Sequence, residues 1–356
     1  MQLLELLYER EFKKLNLFKR KLSLYEDDKI ILCGPRQSGK SFLVYDYLAN
    51  EAYGSYLYID FSDFRVNGIT KEILEKFIDQ KNITTLVLDN FDFSFKVPNV
   101  LKTIIITTKI TFLEGFKTKI LYPLDFEEFL LFEKKFISEQ VSFNNYTLVG
   151  SYPFVAISGR GEYENRYKLL LKSIVFDEVE FFILKTLALK QAHLVSKLSL
   201  FKQIKEHIKI SKDRFYEILK KFEDEFLVFF VQKYESNSHQ RKVFLVDFAI
   251  RGILSYEKDF IKRLESIVFL ELIKRGEEVF FSESFDLIVP KKEQAISITP
   301  FLPDGMLKNK LNLLVVHALR LGLKKITMIT LEPSFSYINA GIVCEAKPFW
   351  EFALEG

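Results

Sequence analysis

The sequence predicts an α/β protein: a parallel sheet built around a phosphate-binding loop, then a winged helix, then a second α/β part. Three observations carry that expectation. An apolar strand runs directly into Gly34-Pro35-Arg36-Gln37-Ser38-Gly39-Lys40-Ser41, which fits G-x-x-x-x-G-K-[ST], and a helical segment follows it. Short apolar segments separated by helical stretches recur between residues 29 and 107, and strands joined by crossovers pair in parallel. Beyond residue 176, three helical segments precede two strands around a polar tip.

Taken in order, residues 1 to 22 place Leu3, Leu4, Leu7, Phe12 and Leu15 at helical spacing and read as an opening helix. Ile30-Ile31-Leu32-Cys33 is a buried strand, and Phe42 to Leu48 is the helix after the loop. A glycine-rich turn aims successive N–H groups inward, and the helix N-terminus adds partial positive charge, so the loop from Gly34 to Ser41, with Phe42, is the expected nucleotide-binding set. Lys40 is expected on the β- and γ-phosphates of ATP, and the Ser41 hydroxyl on Mg²⁺. Ser55 to Asp60, Thr85 to Asp89 and Thr103 to Thr107 are further strands.

The strand 85–89 ends four apolar residues with an acid, so Asp89 is the expected second Mg²⁺ ligand. Many ATPases carry Glu at the next position to polarise the attacking water, whereas this chain has Asn90, which orients a water but accepts no proton. Asp92 is either a substitute base or a solvated loop acid. Thr107 and Thr108 either sense the γ-phosphate or simply finish a β-branched strand.

Composition narrows the classes. A chain of 356 residues with 48% hydrophobic residues has ample core for two or three domains, and a net charge of +3 does not by itself imply nucleic acid. Its 37 Phe residues are spread evenly and carry no site. Cys33 and Cys344, the only cysteines, make neither a disulfide scaffold nor a zinc site, and read as buried thiols in a reducing compartment. The longest apolar runs are strand-sized, so no membrane span is expected and the cytoplasm is the expected location. The four histidines lack ligand spacing.

The ordered series GPRQSGKS, YLYIDFSDFR, LVLDNFD, TIIITTK, ILYPLDFEEFL and YTLVGSYPFVA resembles that of a prokaryotic AAA-type ATPase family, in which an ATPase core is joined to a winged helix and a C-terminal domain like PD-(D/E)xK nucleases. The resemblance implies three parts: residues 1–175 as P-loop core with a helical lid, 176–256 as winged helix, and 257–356 as nuclease-like domain. Pro153, Gly159 and Gly161, with Arg160, punctuate a loop and mark an expected hinge. The family usually has Asp-Glu where this chain has Asp89-Asn90, and Gly-Arg where it has Gly115-Phe116-Lys117, so Lys117 would supply charge without a bidentate fork.

In the middle part, Ser211 caps the third winged-helix segment, and Lys205, Lys209, Lys212, Arg214, Arg241 and Lys242 compose a candidate DNA face. Glu217, Glu223, Asp224 and Glu225 on the same helix mix its charge, so the alternative is a structural connector. In the C-terminal part, Glu271 on a helix and Asp286 in a strand match two nuclease carboxylates. Ile296-Ser297-Ile298-Thr299 stands where the nuclease lysine belongs, with Lys291 and Lys292 in the turn before, so the domain is expected not to cut. Trp350 is expected as a packing anchor. The resulting expectation is an ATP-binding switch with slow hydrolysis and a protein partner. The opposing one is a DNA-binding module that holds ATP for stability.

Overall fold

The structure, a computed structural model, describes residues 2–14, 19–133, 136–157, 161–256, 259–301 and 306–355. Leu15 of the expected opening helix and Gly159 and Arg160 of the expected hinge lie outside the described residues. The chain folds as two compact units, Met1–Pro123 with Asp224–Phe226, and Leu124–Glu223 with Leu227–Gly356.

The first unit contains α1 (Gln2–Tyr8), β1 (Lys29–Cys33), α2 (Lys40–Leu48), β2 (Tyr56–Asp60), α3 (Lys71–Lys81), β3 (Thr85–Asp89), β4 (Lys102–Ile106) and β5 (Lys117–Ile120). The opening helix ends at Tyr8, well short of residue 22. The strands form one parallel sheet in the order β2-β3-β4-β1-β5, the core of a P-loop NTPase fold.

Every residue of β3 is buried, because helices cover both faces of the sheet and leave no solvated side to favour alternation. Leu57, Ile59, Leu86, Leu88 and Ile105 pack with Leu4, Leu74 and Phe77 on one face. Ile30, Leu32, Tyr56, Tyr58, Val87 and Ile104 pack with Val44, Tyr47 and Leu48 of α2 on the other. The strand period of two therefore turns Tyr58 toward α2. In register, Asp60 lies beside Asp89, Asp89 beside Ile106, and Ile106 beside Leu32. One sheet edge thus collects the phosphate loop, Thr107, Asp89 and Asp60 in that order.

The second unit begins at Leu124, so residues 124–175 pack with the chain that follows them. The physical reason is a shared core. A single hydrophobic cluster runs from Leu124 and Phe126 through Tyr146, Leu187, Phe222 and Phe244 to Ile267, Ile296 and Phe352. The elements of the second unit are α4 (Phe126–Phe132), α5 (Glu139–Val149), α6 (Pro153–Ile157), α7 (Tyr163–Ile174), α8 (Glu178–Leu189), β6 (Leu194–Val195), α9 (Lys197–His207), α10 (Lys212–Asp224), β7 (Val228–Gln232), β8 (Arg241–Leu245), α11 (Ile250–Leu254) and α12 (Phe260–Lys274), and then β9 (Leu287–Val289), β10 (Gln294–Ile298), α13 (Met306–Arg320), β11 (Lys325–Thr330), β12 (Phe335–Asn339), β13 (Ile342–Pro348) and α14 (Phe349–Leu354).

Polar contacts explain the motifs at its start. Asp125 Oδ1 accepts from Glu128 N (2.7 Å) and Glu128 Oε2 from Asp125 N (3.2 Å), a capping box for α4. Phe126 N donates to Glu271 Oε2 (3.3 Å) and Lys274 Nζ to the Leu124 carbonyl (2.6 Å), which tie that cap to α12. The Gly150-Ser151 turn is held by Asp247, whose Oδ2 accepts from both Ser151 N and Oγ at 2.7 Å. Glu271, on α12, thereby holds the start of α4, and among the described residues it makes no contact with Asp286.

The helices α8, α9 and α10 are followed by the antiparallel β7–β8 hairpin, with β6 added as a third strand. Ser211 Oγ accepts from Arg214 N at 3.2 Å, as expected of a cap. The candidate DNA face is broken up: Lys242 is buried, and Arg214 is paired with Asp177 at 3.1 Å. The last sheet has the order β12-β13-β11-β10-β9, with β10, β11 and β13 parallel and the two edges antiparallel. Residues 280 and 281 make isolated bridges, Phe280 to Ile288 and Phe281 to Lys233. Trp350 packs on Phe143 with ring centroids 5.6 Å apart. Among the described residues, no helix is long and apolar enough to cross a membrane.

Candidate functional site

The site grows from the junction of β1 and α2. Gly34 has φ 144°, and a Cβ there would stand 2.4 Å from the Leu121 carbonyl oxygen, because Leu121 closes β5 against Cys33 with a 2.8 Å backbone bond. A side chain at 34 would push the loop off the sheet. Gly39 takes φ 97° immediately before α2, a conformation that L residues with side chains rarely adopt. Between them Gln37 is exposed, while Ser38 is fully buried. Among the described residues Ser38 Oγ and Arg36 Nε have no hydrogen-bond partner, although both are shielded from water. Buried polar atoms ordinarily find partners, so a loop that leaves two of them free is chemically suited to an anionic ligand. From outside the loop, Arg20 donates to the Ser38 carbonyl (2.8 Å) and the Tyr122 carbonyl (2.7 Å), holding the loop's shape.

Lys40 turns back over the loop, donating to the carbonyls of Gly34 (2.8 Å) and Pro35 (2.7 Å). Burial pulls its pKa down to about 8, and the negative charge of Asp89 only partly opposes this. Ser41 Oγ donates to Asp89 Oδ2 at 2.7 Å, and the Tyr58 hydroxyl donates to the same oxygen. Burial raises the Asp89 pKa and the charge of Asp60 adds to that, while the bonds from Tyr58 and Ser41 resist it. A carboxylate and a hydroxyl brought together at the loop are the hard oxygen donors that Mg²⁺ takes alongside phosphate, so Ser41 and Asp89 fit that ion and would hold it. Among the described residues, no cluster of three or more His, Cys, Asp or Glu side chains is arranged for a metal. Phe42 is exposed on the first turn of α2, edge-on to Tyr45 at 5.9 Å.

The structure separates the remaining expected residues. Thr107 N donates to the Leu32 carbonyl (3.1 Å), which holds its backbone beside the end of β1, and its Oγ1 accepts from Lys109 N (3.2 Å). Asn90 has left-handed backbone, φ 54°, which Asn tolerates better than Glu does, and its Nδ2 donates to Asp60 Oδ1 at 2.9 Å. Asp92 is exposed, and hydrogen bonding from the Ser94 side chain, with that from Ser94 N at 3.0 Å, holds its carboxyl below the usual range. Lys117 begins β5, opposite Ile30, at the sheet edge away from the loop, and pairs with Asp27 at 3.2 Å. Cys33 lies at the end of β1, its thiol pushed up to about 11 by burial.

Asp60, Tyr58 and Arg20 were missed by sequence reasoning. For the first two a signal existed: Tyr58-Ile59-Asp60 ends a buried strand in an acid just as 85–89 does. Only the neighbouring position of β2 and β3 gives that acid meaning. For Arg20 there was none, since nothing local marks a side chain that reaches across the fold.

One consequence concerns pH. Phosphate is bound by the ammonium form of Lys40, so above about 8 binding must also take up a proton. Affinity for Mg·ATP should fall as pH rises through that value, approaching about tenfold per unit. Titration calorimetry at a series of pH values checks this, and a flat profile would show Lys40 to be fully charged throughout.

The AAA domain family matches residues 26–115, the stretch that contains β1 to β4. An uncharacterized protein of Methanocaldococcus jannaschii is 24% identical, the alignment covering 74% of this chain and 69% of that one. An uncharacterized protein of Haemophilus influenzae is 26% identical over 75% of this chain and 81% of its own. Among solved structures, the Walker-type ATPase PABY2304 of Pyrococcus abyssi aligns with TM-score 0.44 and 15% identity, over 68% of this chain and 97% of that one.

Proposed function

We propose that this protein binds Mg·ATP in its first unit, hydrolyses it slowly, and acts as a nucleotide-dependent switch for a protein partner. The single observation that supports the reading most is the convergence of Lys40, Ser41 and Asp89 on one loop, with Ser41 and Asp89 sharing a 2.7 Å hydrogen bond. Mg²⁺ held there would neutralise charge on the β- and γ-phosphates. Lys40 binds phosphate, and the loop N–H groups orient it.

In hydrolysis, water adds to the γ-phosphorus, the bond to the β,γ-bridging oxygen breaks, and the water's proton needs an acceptor. Asn90 accepts none. Asp60, held by the Asn90 amide at 2.9 Å, is the carboxylate next in line. A base displaced by one strand from the expected position agrees with slow turnover.

Three helices, a β7–β8 hairpin and a mixed sheet with helices on both faces support reading the second unit as winged helix plus nuclease-like domain. The DNA-binding alternative loses two cations of its expected face to internal pairing. Cytoplasmic location belongs to the same proposal.

Nucleotide binding by wild type and Lys40→Ala is the deciding experiment. Loss of the ammonium should weaken Mg·ATP binding by roughly ten- to a hundredfold, the share of a charge-assisted contact. Equal affinities by calorimetry would refute the reading.

A further inference from the structure

We infer that Arg10 is a phosphate-contacting arginine, supplied by the chain's own N-terminal segment to the γ-phosphate of bound ATP. This rests on the nucleotide reading above and adds a residue that no loop motif contains. The segment after α1 is laid over β2 and α2 by specific contacts: the Tyr56 hydroxyl donates to the Arg10 carbonyl at 3.2 Å and accepts from Phe12 N at 3.4 Å. Phe12 then stacks on Tyr45, centroids 4.9 Å apart and planes at 26°. The exposed Arg10 guanidinium stands 4.7 Å from the ring centroid of Phe12, 5.3 Å from Tyr58 and 5.5 Å from Tyr45.

Tyr58 gives the position its meaning, since its hydroxyl donates to Asp89 Oδ2, the oxygen that Ser41 also contacts. Arg10 therefore lies one aromatic side chain away from the expected Mg²⁺ ligands. Among the described residues, no carboxylate lies within ion-pair distance of it. A cation held by ring faces alone is held weakly and stays solvated, which suits a group that must move to an anion. Guanidinium is also the side chain whose planar fork fits phosphate oxygens. Lys117, the other cation considered for this role, is paired with Asp27 at the opposite sheet edge.

The test uses the full chain and compares Mg·ATP with Mg·ADP, because only ATP carries the γ-phosphate. Affinities of both are measured for wild type, Arg10→Ala and Arg10→Lys. Arg10→Ala should lose roughly ten- to a hundredfold in ATP affinity and keep its ADP affinity, with Arg10→Lys between the two. Unchanged ADP binding also shows that the variants are folded. If Arg10→Ala keeps the wild-type ratio of ATP to ADP affinity, or if wild type shows no preference for ATP, the inference is overturned while nucleotide binding stands. Failure of wild type to bind either nucleotide would overturn both.

Discussion

Asp60→Asn is expected to lower ATP turnover by about 10²–10⁴-fold, the usual contribution of a general base. The substitution keeps the shape and the acceptor oxygen, so the bonds from Asn90 Nδ2 and from Ser62 N and Oγ can persist while the ability to take a proton is lost. Because Asp60 lies beside Asp89 in register without sharing its Ser41 contact, ATP affinity should change by less than about threefold, which separates the kcat effect from binding. Asp92→Ala is the control. Its carboxylate is exposed and engaged by Ser94 N, and its pKa is lowered by the Ser94 contacts, so it is a poor base and its loss should leave turnover within about twofold. Full turnover in Asp60→Asn, with loss in Asp92→Ala, would return the role to the acid on the loop.

What could be read from the chain was decided by locality. The phosphate loop needs a strand, two glycines, a lysine and a hydroxyl in one contiguous run, so its residues and both flanking elements were legible together. Asp89 was legible because a buried strand ending in an acid is a local pattern. Asp60 has the same pattern, but it matters only because β2 lies beside β3, and pairing order is a property of the sheet. Asn90 shows the opposite case. Read from the sequence it is a missing glutamate; in the fold it is a residue suited to φ 54° that also aims its neighbour's carboxylate. The packing of 124–175 was not legible for a related reason: its apolar positions are periodic in any packing, and nothing local says that Phe126 meets Phe349, 5.5 Å away between centroids. Glu271 and Glu265 sit on one helix six residues apart, and only the strands around α12 decide which of them meets Asp286.

That second choice sets up a further large effect, in Lys242→Met. Lys242 Nζ lies 2.6 Å from Glu265 Oε1, 3.7 Å from Asp286 Oδ1 and 2.9 Å from the Asp286 carbonyl, with Lys262 on the other oxygen of Glu265 at 2.8 Å. Glu265 is fully buried and Lys242 nearly so. Removing one partner of a buried pair leaves an uncompensated charge, so the second unit should lose about 3 kcal/mol of stability, Lys262 keeping the loss from being larger. Lys242→Met with Glu265→Gln should recover most of it. Burial already raises the Glu265 pKa, and the Lys242 charge is the largest influence holding it down. An acid with a raised folded pKa contributes stability that is lost as pH rises, so the deficit of Lys242→Met should be greatest at neutral pH and shrink as pH falls and Glu265 protonates. Urea melts at several pH values measure this, and a deficit below about 0.5 kcal/mol at neutral pH would place the pair with weak surface contacts. On the nuclease-like reading proposed above, the same ammonium takes the place of a cation between the two carboxylates, while Lys292 is spent on Glu277 at 2.7 Å and Lys310 on the Thr299 hydroxyl at 2.7 Å. Wild type should therefore leave single- and double-stranded DNA and RNA intact in Mg²⁺ or Mn²⁺. Cleavage that disappears in Asp286→Ala would show that the lysine yields to a metal.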